Sequence, residues 1–123
     1  MTAAIAATVI GCGGAAALAR YLVAVWFTAG DGFPWAVLVV NVVGSALAGT
    51  VLALAAALGD DVTLILLSGV AGGLTTFSTF SVETIQLMVD GRLRVAAVSV
   101  GANLGAGLAV TATAYALAGS FVA

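Results

Sequence analysis

Four stretches of the chain are almost continuously apolar, covering about residues 5–27, 35–58, 62–88 and 93–117, and short runs of glycine, aspartate or proline separate them. A helix rises about 1.5 Å per residue, so about 20 apolar residues cross the hydrocarbon of a bilayer, and each stretch is long enough. The pattern predicts an all-α membrane protein with one transmembrane domain of four helices over residues 1–123. Connections this short make each helix antiparallel to the next and leave both termini on one side.

The polar punctuation marks where helices end. Ala29, Gly30, Asp31, Gly32, Phe33 and Pro34 form the first loop, with Pro34 suited to the first turn of the second helix and Trp35 to the membrane interface. Gly59 is a plausible C-cap, and Asp60 and Asp61 then meet the positive end of the third helix dipole. Asp90 and Gly91 turn the chain into the fourth helix. Arg92 and Arg94 are the cationic residues beside a loop; taken literally they put the termini outside, and a bias of two residues leaves either insertion open.

Small residues recur at helical spacing: Gly11, Gly13 and Gly14 in the first helix, Gly44 and Ala48 in the second, Gly101, Gly105 and Ala109 in the fourth. Such stripes let helices approach closely where lipid supplies no hydrophobic drive. They exceed what four helices need among themselves, which predicts a dimer with a similar chain. The sequence Asn41, Val42, Val43, Gly44 is loosely echoed by Asn103, Leu104, Gly105, but no internal repeat is discernible.

The third stretch departs from this plain texture. Gly72 and Gly73 are followed by Thr75, Thr76, Ser78, Thr79 and Ser81, with Phe77 and Phe80 among the hydroxyls. Mid-helix glycine costs about 1 kcal/mol relative to alanine. If the helix unwinds here, carbonyls from Gly72 to Thr75 leave the helical ladder and can hold a hard cation such as Na⁺, while the amides that follow favour an anion. The plainer alternative is close packing at the glycines, and the adjoining hydroxyls argue against it. Phe77 and Phe80, three apart, project from one face; their ring edges can meet an anion without a full charge. Asn41 can add an amide NH₂ from the facing helix.

Composition narrows the function. Hydrophobic residues make up 63% of the chain and charged ones 7%, with a mean hydropathy of +1.29, which fits a membrane protein and no soluble domain of this size. The net charge of −2 offers nothing to a nucleic acid, and the absence of histidine and lysine removes two common proton carriers, so an enzyme is not expected. Cys12 stands alone and is read as a packing residue; Val9 to Cys12 faintly resemble a lipoprotein cleavage site, but no Arg or Lys precedes them, so the first helix is expected to be retained. Arg20 and Glu83 lie inside predicted spans, where charge marks function by default, although both stand near helix ends and can serve as anchors.

The run GGAAALAR at residues 13–20, NVVG at 41–44 and above all GxxGGLTTFSTFSxE at 69–83 resemble the CrcB/Fluc fluoride channels over the whole four-helix length. The resemblance implies an antiparallel dual-topology dimer, a homodimer or a heterodimer with a paralogous subunit, in the inner or plasma membrane. It implies passive export of fluoride through two narrow pores to lower cytoplasmic fluoride, with the third helix broken at its centre. It further implies a structural, non-transported Na⁺ held by the backbone carbonyls of Gly72 and Thr75 of both subunits. Phe77 and Phe80 would be the ring-edge contacts, Ser78 and Thr79 part of a polar track, and Asn41 a pore donor. Thr111, Thr113 and Tyr115 would continue the track on the fourth helix, with Arg20 and Glu83 as further candidates for the pathway.

Two rivals stand beside this reading. A small multidrug-resistance transporter, proton-coupled, has similar size and dual topology, but its pattern puts a glutamate in the first helix, where this chain has Arg20. A non-transporting membrane assembly subunit would use the glycines for packing alone.

Overall fold

Thr2 starts the first helix by accepting a hydrogen bond from Ile5 N–H on its hydroxyl, and α1 runs over Ala3–Trp26. The computed structural model describes residues 2–27 and 32–122; Ala29, Gly30 and Asp31 of the first loop lie outside them. Pro34 stands at the N-cap of α2 (Trp35–Ala53), one position before the first turn, and the Phe33 and Trp35 rings meet at 4.6 Å between centroids. A short α3 (Ala55–Leu58) ends at Gly59, whose φ of 79° suits glycine, and α4 (Asp60–Leu64) opens with both aspartates in its first turn.

The third crossing continues as a π-helical segment, Ile65–Ala71, then α5 (Gly72–Leu74) and, after two extended residues, α6 (Phe77–Val89). The end of α6 is a Schellman motif: Gly91 has φ 73°, its N–H bonds Met88 O at 3.1 Å, and Arg92 N–H bonds Leu87 O at 2.8 Å. Two otherwise orphaned carbonyls are thus satisfied where the chain reverses. α7 (Leu93–Gly119) completes the fold. Ala3–Trp26, Trp35–Ala53, Asp60–Val89 and Leu93–Gly119 are each long and apolar enough to cross a membrane, and no strand occurs among the described residues.

Packing depends on missing side chains. A Cβ on Gly49 would strike the Thr111 carbonyl, one on Gly73 the Gly13 carbonyl, and one on Gly44 the Thr75 methyl. The first seats α2 along α7, the second α1 along α5, and the third α2 against the residue that follows α5. The buried hydrophobic residues are accordingly short: Ala16, Ala71 and Ala96 with Val37, Val40, Val51 and Leu87. Larger apolar side chains, including Leu22, Leu104, Leu108 and Leu117, point outward.

Candidate functional site

The interruption falls at Thr75 and Thr76, not at the glycines. Gly72 is helical (φ −65°, ψ −38°), whereas Thr75 (φ −76°, ψ 158°) and Thr76 (φ −146°, ψ 121°) are extended. Gly72 and Gly73 therefore stay in the helix, and Gly73 serves the close approach to Gly13. The reason lies in compensation: leaving the helix in an apolar setting strands peptide groups at several kcal/mol each, and polar side chains from neighbouring helices stand at the threonines.

Arg20 Nη1 donates to Thr75 O at 2.7 Å. Thr76 N–H, which a continuous helix would give to the Gly72 carbonyl, donates to Asn41 Oδ1 at 2.9 Å, and Asn41 Nδ2 returns a longer bond to Thr76 O at 3.3 Å. Asn41 thus pairs with both sides of one residue, as a neighbouring strand would. Its Nδ2 also donates to Asn103 Oδ1 at 2.9 Å, and Asn103 Nδ2 donates to Ser99 O at 3.0 Å. Thr76 restarts the helix: its Oγ1 accepts from Thr79 N–H at 3.1 Å, donates to Thr79 Oγ1 at 3.0 Å and lies 3.4 Å from Ser78 Oγ.

The Phe77 and Phe80 rings are neighbours, with centroids 6.0 Å apart and planes tilted by 44°; Phe77 is 80% exposed and Phe80 is half-buried. Both border a cavity of about 260 Å³ that Asn41, Thr75, Thr76 and Asn103 also line. On the other side of the interruption lies a cavity of about 230 Å³ lined by Arg20, Tyr21, Thr76, Thr79 and Glu83. Thr76, only 6% exposed, lines both. Glu83 also borders a third space of about 340 Å³ that opens among Phe27, Phe33 and Trp35 at the end of the bundle. Glu83 Oε2 is buried there without a hydrogen-bond partner.

The site thus gathers Arg20, Asn41, Thr75, Ser78, Thr79, Phe77, Phe80 and Glu83 around one interruption. Of the candidates on the fourth helix, Thr111 Oγ1 donates at 3.2 Å to the carbonyl of Ser45, a residue that lines the cavity beside the rings, Thr113 Oγ1 bonds its own helix at Ala109 O, and Tyr115 is 54% exposed; none of the three itself borders the cavities beside Thr76. Asn103 occupies that place on α7. In the sequence Asn103 stands out only as the loose echo of Asn41, although an amide at Asn41 inside lipid needs a partner. The carbonyls of Gly72 and Thr75 are hard oxygen donors of the kind a monovalent cation takes: the first has lost its Thr76 donor to Asn41, and the second already receives a cationic group from Arg20.

Fold and site together define a small multi-pass membrane protein whose polar groups are concentrated at one helix interruption between two cavities. The family model described as "CrcB-like protein, Camphor Resistance (CrcB)" matches residues 7–115. The chain belongs to this CrcB-like family, as the motif of its third span implied. It is similar to the fluoride-specific ion channel FluC of Variovorax paradoxus, 43% identical over 98 residues, covering 77% of this chain and 78% of that one. FluC of Geobacter metallireducens is 46% identical over 99 residues (76% and 80%), and FluC 1 of Yersinia pseudotuberculosis 39% over 113 residues (89% of each). The relatives are named as ion channels, not as enzymes.

Proposed function

We propose that the chain is a fluoride-selective ion channel that lets fluoride leave the cytoplasm passively, and that its working form is an antiparallel dimer of dual topology. The observation that carries the reading is the interrupted third span, where hydroxyls, amides and ring edges surround two extended threonines, in a chain similar to proteins named fluoride-specific channels. Fluoride is small and strongly hydrated, so a selective pore must replace its water with several donors while staying too narrow for chloride. Neutral donors suit release as well as entry.

In this reading the anion enters past Glu83 and Arg20, passes the hydroxyls of Thr79 and Ser78, and meets the edges of Phe80 and Phe77. Asn41 serves it with the hydrogen now in the long 3.3 Å bond to Thr76 O, the bond that costs least to release. Thr111, Thr113 and Tyr115 continue the path where a second chain adjoins α7. The carbonyls of Gly72 and Thr75 from two chains would hold a structural Na⁺, whose positive charge would lower the energy of an anion nearby.

Purified protein in liposomes loaded with potassium fluoride, and in a parallel preparation with potassium chloride, tests the reading. Valinomycin-triggered fluoride efflux, with chloride retained, is the expected result. Proton-coupled drug uptake without fluoride efflux would favour a multidrug transporter, and no flux of either kind an assembly subunit.

A further inference from the structure

We propose that Asn103 is a positioning residue of this site: it locks the amide of Asn41 in the one orientation that holds the Thr76 peptide, and so sets the wall shared by the two cavities. The argument is one of donor and acceptor directions. Ser99 O can only accept, so the NH₂ of Asn103 turns toward it and its Oδ1 faces Asn41. That oxygen also can only accept, so the NH₂ of Asn41 turns toward it and Asn41 Oδ1 faces Thr76 N–H, at 2.9 Å in each case. A flipped Asn41 would set oxygen against oxygen at Asn103 and N–H against N–H at Thr76. The order imposed at a backbone carbonyl of α7 thus passes through two amides to the extended residue of the third span.

The consequence is local. Thr76 is buried and lines both cavities, and Asn41 is the side chain that bonds its N–H and its C=O. With Asn103 removed, Asn41 keeps its reach but is oriented by the Thr76 peptide alone, through one short and one long bond, and that peptide spends more of its time unpaired. Only the transport consequence of this inference rests on the fluoride reading.

The test is amide hydrogen exchange at Thr76 in the detergent-solubilised full chain, read alongside fluoride efflux. Asn103→Leu should speed Thr76 exchange by about threefold to tenfold, the size expected for one hydrogen bond. Asn103→Ser, whose short hydroxyl still bonds Ser99 O but cannot reach Asn41, should do the same while disturbing α7 less. Asn41→Ala should raise Thr76 exchange further, and adding Asn103→Leu to it should change nothing more. Amides at Val51 and Ala96, buried elsewhere, should keep their wild-type rates, and efflux should fall in step with Thr76 protection. Unchanged exchange at Thr76 in both Asn103 variants overturns the proposal, as do effects that multiply in the double variant or loosening that spreads to Val51 and Ala96. A wild-type chain that passes no fluoride removes the channel reading and leaves the Thr76 result to decide the positioning role on its own.

Discussion

The guanidinium of Arg20 stands on the carbonyl of Thr75, at 2.7 Å and across 55 residues of sequence. This bond gives the extended pair one of its anchors and gives an arginine inside an apolar helix a partner. Thr79 N–H, the donor a regular helix would return to Thr75 O, is taken by the Thr76 hydroxyl, so the arginine replaces what the interruption removed.

Arg20→Met should therefore destabilise the protein by about 2 kcal/mol, the usual worth of a hydrogen bond to a charged group. Arg20→Gln, which keeps a neutral donor, should recover part of that loss. Thermal unfolding in detergent checks both. A methionine variant that melts like the wild type would show that Thr75 O needs no donor from α1.

Phe80→Ile should cut fluoride efflux by about tenfold or more while the protein still elutes from gel filtration as the wild type does. Isoleucine fills similar space but lacks the positive ring edge that faces an anion. Phe77 is the more exposed ring of the pair, and Phe77→Ile should act in the same direction. Normal efflux in both variants would take the rings out of the pathway.

Much of this architecture is written in local signals. Span length marks the four crossings, Gly59 with Asp60 marks the second reversal, and Gly91 marks the third, because each feature acts within a turn of its own position. The interruption was harder to locate. Gly72 and Gly73 show where a backbone is free to unwind, but Thr75 and Thr76 are where it does, since their partners Arg20 and Asn41 lie 55 and 35 residues away. Asn103 is 62 residues from Asn41, and only the register of α7 against α2 brings the two amides together. That register also seats Thr111 on the carbonyl of Ser45, four residues along α2 from Asn41.

Glycines of the same type should respond differently to alanine. Gly49→Ala places a methyl against the Thr111 carbonyl of α7, and overpacking of this kind costs about 1–3 kcal/mol. Gly73→Ala meets the Gly13 carbonyl and should cost a similar amount. Gly101 has nothing within 4 Å of where its Cβ would stand in this chain, so in separated chains Gly101→Ala should be neutral or should stabilise α7 by about 1 kcal/mol through helix propensity. Unfolding midpoints of the three variants, measured on separated chains, check the order, and a loss at Gly101 equal to the other two would overturn it.

Sodium should stabilise the assembled protein if the Gly72 and Thr75 carbonyls of two chains hold it. Binding to the folded form alone adds RT ln(1 + [Na⁺]/Kd), so the unfolding midpoint should climb with Na⁺ at constant ionic strength. N-methylglucamine, too large for a site made of carbonyl oxygens, should leave the midpoint low and favour separated chains on gel filtration. The anion need not be present, which separates this effect from transport. Arg20 sharpens the expectation: its positive charge lies on one of the same oxygens, so Arg20→Gln should strengthen the response to Na⁺ by removing a repelling neighbour even as it lowers the midpoint in N-methylglucamine. Identical midpoints in the two cations would assign those carbonyls to Arg20 and to packing, with no ion between the chains.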